Sequence, residues 1–442
     1  MFDARVRLVA SWLPCLALAL ALTPAFAGGC ASDDGGGEEL ADEAESDTDE
    51  SDEGTDTSPT GDGDGDGDGD GDGDGAPDRD AILELLGSDG PYTVGFEELA
   101  LSYTPPGAAE PRELPVLVWY PAVEDSGAGL ASYSLGGLVQ LPNSKTLDAP
   151  PVSPEGPFPV VVYSHGSGGA GILGYPFAER FASHGWVLVS ANHVGNTVSD
   201  ALNDSSDSFV ELMVTRPSDV SAMLDALETG FGGEEVASAA DLDHVFLFGH
   251  SFGGYTTFAA GGVELDYAAL LDQCDPLDCA YLEQPEVAQA LEAGLGDPRI
   301  DAIGPQAPAL YPLFADGAYA ALEIPTMLQS GKLDITTPDA SEASPAWAAL
   351  DNPDDVWIDL PFGGHYSFIT VCHDLAPELL ALVEPNNADD GCGPDFTPTT
   401  EVIPDLATYL LGFAKLHVLG EAELAVIFEG EPIHPEFDLI RH

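Results

Sequence analysis

Gly249-His250-Ser251-Phe252-Gly253-Gly254 places a hydroxyl nucleophile between two glycines in the pattern G-x-S-x-G. A serine on a sharp strand-to-helix turn needs small residues two before and two after it, because the incoming and outgoing backbones pass closely. Such a turn lifts the hydroxyl above a sheet edge. It also sets it beside a helix N-terminus, whose partial positive charge favours a developing anion. With 50 glycines in the chain, the string alone carries little. Its surroundings carry more: His-Val-Phe-Leu-Phe (244–248) runs into Gly249 as a strand, and Tyr255 to Ala260 is compatible with a helix.

A serine hydroxyl is a weak nucleophile until a base takes its proton, and the base needs an acid to hold its tautomer. On an α/β sheet of this kind the three follow in the order Ser, acid, His. Ile324–Gln329 predicts a strand, so Asp334 falls in a loop at a strand's carboxyl end, where functional groups of such sheets gather. Asp339 and Glu323 compete for the acid's role. Val356–Pro361 predicts the next strand, and Gly363-Gly364 then lets His365 reach over the sheet end towards Ser251. His184 falls beside a helix end, His244 at a strand start and His250 next to the nucleophile; His373, beside Cys372, is the rival base.

The Gly-rich run Tyr163-Ser164-His165-Gly166-Ser167-Gly168-Gly169 follows another buried strand and can aim a backbone N–H at a substrate oxygen. The Ser167 N–H is the expected first oxyanion donor, with Gly166 as the alternative; the Phe252 N–H is the second. The chemistry is acyl transfer through an acyl-enzyme, with no cofactor and no metal expected.

These residues need a rigid frame. Leu114–Ala122, Pro159–Tyr163, Trp186–Ala191, Val245–Phe248 and Arg299–Ile303 read as further strands. Residues 171–184 read as a helix ended by Gly185, 217–229 as a helix with Pro217 near its first turn, and Pro404–Gly420 as a final helix. Alternation of this kind predicts a doubly wound, mostly parallel sheet flanked by helices. Residues 261–296 form either a small lid or ordinary packed helices, and Thr197–Thr215 is a second candidate rim.

The chain's 442 residues carry a formal net charge of −67, from 78 acidic and 11 basic side chains. So few cations exclude a nucleic-acid partner. Arg5, Arg7, the apolar run Leu8–Leu22 and Ala25-Phe26-Ala27 have the layout of an export signal, assigned to residues 1–29. Gly28-Gly29-Cys30 partly matches a lipidation site: either Cys30 tethers the protein to a membrane, or cleavage after Ala27 releases it. Residues 30–79, with Gly and Asp alternating from Gly61 to Gly75, cannot offset their own ordering entropy and read as an acidic linker. The folded domain is then 80–442. Export favours disulfides, and local pairing of Cys274 with Cys279 and Cys372 with Cys392 is preferred among three connectivities.

Together, L-P-V-L-V-W-Y-P-A (114–122), P-F-P-V-V-V-Y-S-H-G (157–166), R-P-S-D-V (216–220), G-H-S-F-G-G-Y (249–255), D-P-R-I-D-A-I (297–303) and G-G-H-Y-S-F (363–368) resemble a bacterial branch of the α/β hydrolases. This branch is dienelactone-hydrolase-like and platelet-activating-factor-acetylhydrolase-like. Dienelactone hydrolases proper use a cysteine where this chain has Ser251. The animal acetylhydrolases carry their acid near the position of Gln306 here. The resemblance implies an α/β-hydrolase fold and hydrolysis of a carboxylic ester, in a small molecule, a lipid or a polyester. An amidase or peptidase with the same triad, and a non-catalytic binding module on the same scaffold, are the competing readings.

Overall fold

Val160-Val161-Val162 and Val187-Leu188-Val189 are buried on both faces, the condition of strands at the centre of a parallel sheet covered by helices. Around them the chain builds β1 (Thr93–Tyr103), β2 (Arg112–Ala122), β3 (Tyr133–Leu135), β4 (Val139–Leu141), β5 (Leu147–Asp148), β6 (Phe158–Ser164) and β7 (Val187–Ala191). There follow β8 (Ala240–His250), β9 (Ile300–Gln306), β10 (Met327–Gly331), β11 (Val356–Leu360) and β12 (Asp438–Arg441). The structure, a computed structural model, describes residues 78–442 except 232–233 and 384–385. The export signal, Cys30 and nearly all of the linker lie outside the described residues. The helix Arg79–Gly87, capped by Asp78, takes in the last linker residues.

Ten strands form one sheet in the order β12-β11-β10-β9-β8-β6-β7-β2-β1-β5, and β3 pairs with β4 apart from it. From β7 through β6, β8, β9 and β10 to β11 every pairing is parallel. The pairs β1–β2, β2–β7 and β11–β12 are antiparallel. This is the expected mostly parallel sheet, with helices on both faces. Among the described residues no helix is long and apolar enough to cross a membrane.

The helix assigned to 217–229 begins earlier. It spans Phe209–Thr229, with Ser208 accepting the Glu211 N–H at 3.1 Å as its cap. Pro217 therefore sits inside it and not in its first turn. A proline offers no N–H to the carbonyl four residues back. That carbonyl, of Met213, accepts instead from the Tyr255 hydroxyl at 2.9 Å, tying this helix to the one after Ser251.

Of the two readings of 261–296, packed helices is the observed one. Its three short helices bury Leu282 and Val287 in the same core cluster as Met213 and Leu224, and Tyr281 donates to the Pro106 carbonyl at 3.2 Å. Disulfides join Cys274 to Cys279 and Cys372 to Cys392, as preferred, and fit an exported protein.

Candidate active site

Ser251 follows the last residue of β8, His250, and precedes the helix Phe252–Gly261. Its backbone takes φ 60° and ψ −118°, a strained conformation for a residue with a side chain. The turn is held by the Ser251 N–H donating to the Gln306 carbonyl at 2.9 Å and by the Gly254 N–H donating to the Ser251 carbonyl at 2.8 Å. Both flanking glycines are required by what they face. A Cβ on Gly253 would stand 1.9 Å from the Ser164 carbonyl oxygen, and one on Gly249 2.5 Å from the Gly253 oxygen. Phe252 is the first helical residue, so its N–H has no partner within the helix.

Asp334 lies just beyond β10 and His365 just beyond β11, both buried. Asp334 Oδ2 is 2.9 Å from His365 Nδ1. Thr337 completes the carboxylate's partners, donating its N–H to Oδ1 at 2.6 Å and its hydroxyl to Oδ2 at 2.7 Å. A carboxylate facing Nδ1 places the imidazole proton there and leaves Nε2 as the ring's acceptor nitrogen. His250 Nε2 donates to the His365 carbonyl at 2.8 Å, so the residue beside Ser251 is bonded to the candidate base. Burial first, and the facing His365 second, push the His250 pKa well below its ordinary value, which keeps that ring neutral.

The competitors are engaged elsewhere. Asp339 takes Lys332 at 3.1 Å and Ser344 at 2.6 Å, Glu323 is exposed, and His373 bonds the Thr399 hydroxyl at 2.8 Å.

The loop after β6 lies against Ser251: a Cβ on Gly166 would be 3.2 Å from Ser251 Cβ. The Gly169 N–H donates to the Gly166 carbonyl at 3.1 Å and closes a turn. Ser167 occupies its second position, where the N–H takes no part in the turn's own hydrogen bond. Asn196 donates to Ser167 Oγ at 2.9 Å and accepts from the Gly168 N–H at 3.1 Å. Phe209, within the 197–215 stretch, stacks on Phe252 with ring centres 5.0 Å apart. A cavity of ≈ 530 Å³ lined by Leu101, Tyr103, Pro217 and Leu295 includes none of Ser251, Asp334 and His365.

Sequence reasoning missed Asp390. Its Oδ2 accepts from the Ile335 N–H (3.0 Å), the Thr336 N–H (2.8 Å) and the Thr336 hydroxyl (2.7 Å), while Oδ1 accepts from the His365 N–H at 3.0 Å. One buried carboxylate thus ties the Asp334 loop to the His365 loop, two residues from the Cys372–Cys392 bond. Loosening it shifts Asp334 and His365 relative to each other, and misplacement of about an ångström costs on the order of 100-fold in rate. Asp390→Ala is expected to lower kcat by about that factor with KM within about threefold, read in steady-state ester hydrolysis.

Glu342 is a buried carboxyl near Asp334. Burial, reinforced by the Asp334 charge, pushes its pKa up to about 8, against the lowering effect of the Tyr311 N–H it accepts at 2.8 Å. The fold therefore binds this proton more tightly than the unfolded chain does. The stability it contributes is fully present below about pH 4.5 and is lost as pH rises through about 8. Glu342→Gln, which keeps an acceptor for Tyr311, is expected to match wild type at pH 4. At pH 9 it should exceed wild type by about 2 kcal/mol or more in urea unfolding.

The sheet order, the sharp turn at Ser251 and the helices on both faces define an α/β-hydrolase fold. No family model and no curated protein matches the chain. Among solved structures it is similar to a ferulic acid esterase from Streptomyces cinnamoneus, with TM-score 0.52 and 21% identity over 80% of this chain and 97% of that one.

Proposed function

We propose that this chain is an exported serine esterase, with Ser251 as nucleophile, His365 as base and Asp334 as the acid that orients it. The observation that carries the reading is the buried Asp334–His365 pair, joined through His250 to the strained turn at Ser251. His365 Nε2 takes the Ser251 proton as Oγ attacks the ester carbonyl. The Ser167 and Phe252 N–H groups receive the oxyanion. Collapse expels the alcohol with the proton returned from His365, leaving an acyl-enzyme. Water, deprotonated by His365, then attacks, and the acid departs with Ser251 restored.

The dienelactone-hydrolase-like and acetylhydrolase-like branch is the reading its motifs favour. The likeness to a ferulic acid esterase supports including an aromatic acyl ester among the substrates tested, beside short aliphatic, lipid and polyester esters. A panel of nitrophenyl esters of increasing acyl length together with methyl ferulate tests the reading. Hydrolysis of at least one, lost in Ser251→Ala, supports it; no hydrolysis of any by the folded wild type overturns it. The sequence around Cys30 favours a lipid tether, which processing sensitive to globomycin supports and insensitive processing rejects.

A further inference from the structure

Ser164, His193 and Asp219 repeat the order of groups at the proposed catalytic triad. His193 Nε2 lies 2.9 Å from Ser164 Oγ, and His193 Nδ1 lies 2.7 Å from Asp219 Oδ2. All three are 0% exposed, so no substrate reaches them. Their protons are ordered by Arg216. A guanidinium only donates, so Ser164 Oγ accepts from Arg216 Nη2 at 3.0 Å and gives its own proton to His193 Nε2. His193 Nδ1 then donates to Asp219. The His193 backbone N–H donates to His165 Nε2 at 3.1 Å, which leaves His165 Nδ1 to donate to the Gly166 carbonyl at 2.7 Å.

Burial, reinforced by the Arg216 charge, pushes both imidazoles well below their ordinary pKa and keeps them neutral. Burial lowers Arg216 itself to about 9, which leaves it charged at neutral pH. Asp219 is also bonded to Arg112 and Tyr103. Asp207 and Glu211 also act on Arg112, whereas Asp219 is the carboxylate that acts on Arg216.

Arg216 touches both places that hold the oxyanion donors. Its Nη1 donates to Asn196 Oδ1 at 2.8 Å, and Asn196 holds Ser167 and Gly168; its Nη2 also donates to the His165 carbonyl. The guanidinium carbon lies 4.7 Å from the centre of the Phe252 ring. Arg216 opens the run R-P-S-D-V, which the acyl-transfer residues leave without a role.

We propose that Arg216 is a positioning residue for the oxyanion hole, fixing the Ser167 loop against Phe252 and lending its charge to the anion formed between their N–H groups. The proposal rests on the serine-esterase reading. The test compares Arg216→Met and Arg216→Lys with wild type in kcat, KM, melting temperature and affinity for a phenylboronic acid, which forms a tetrahedral anionic adduct with an active serine. The loss of one oxyanion donor sets the scale, on the order of 100-fold. Arg216→Met is expected to lose about that factor in kcat and in boronate affinity together, with KM within about threefold. Arg216→Lys keeps the charge but not the fork and is expected to lie between. Should the methionine variant fail to fold, the lysine variant decides by the same two readouts. A lowered melting temperature with kcat and boronate affinity unchanged overturns the proposal, because packing alone would do that. A wild type that neither hydrolyses esters nor reacts with a fluorophosphonate overturns the esterase reading and this one with it.

Discussion

Asp334→Asn is expected to lower kcat for a nitrophenyl ester by about 10⁴-fold while leaving KM within about threefold. The change keeps size and shape but replaces an acceptor oxygen by an NH₂ group. Asp334 Oδ2 accepts from His365 Nδ1 at 2.9 Å and from the Thr337 hydroxyl at 2.7 Å, so an amide nitrogen there would face two donors. The imidazole relieves the clash by moving its proton to Nε2, where the base must be empty. The Thr337 hydroxyl, 3.1 Å from His365 Nδ1, holds the ring in place without restoring the charge that stabilises imidazolium. The loss therefore falls on the chemical step and not on substrate binding. Steady-state kinetics checks it, and a fall of less than about tenfold would remove Asp334 from the acid's role.

Gly253→Ala is expected to damage both stability and activity. The added methyl would lie 1.9 Å from the Ser164 carbonyl oxygen and 2.9 Å from that of His165. Both are backbone atoms at the end of β6, so no side chain can swing aside. Either the helix after Ser251 or the 164–169 loop must move, and both carry proposed oxyanion donors. Overpacking of this severity costs about 3 kcal/mol or more, and the displaced donors lower kcat by about 100-fold or more. Thermal melting and ester hydrolysis check the two parts. A variant with wild-type melting and activity would show that the turn is looser than its contacts imply.

Much of this site was legible because it is built on strand ends that read clearly. The run 244–248, Gly249 and Gly253 leave the chain little choice at Ser251, and the Gly-Gly before His365 marks a backbone that must pass Gly391 closely. Asp390 was not legible. It stands in Asp389-Asp390-Gly391 in a chain with 78 acidic residues, and only the folded loops bring four donors to it. Arg216 stands in the sequence only as the first residue of R-P-S-D-V, since nothing in a sequence says that an arginine is fully buried under a loop. The start of the long helix at Phe209 was missed because Pro217 looks like a first-turn proline. The hydroxyl that repairs its lost hydrogen bond comes from Tyr255, 42 residues after Met213.

The proposed esterase depends on Ser251 being an activated nucleophile. Labelling the folded protein with a fluorophosphonate and mapping the modified peptide tests it most directly. A single modified residue, Ser251, is expected, with no labelling of a Ser251→Ala variant that melts as wild type does. Folded wild-type protein that takes no label, or that carries it on another residue, would contradict a nucleophilic Ser251.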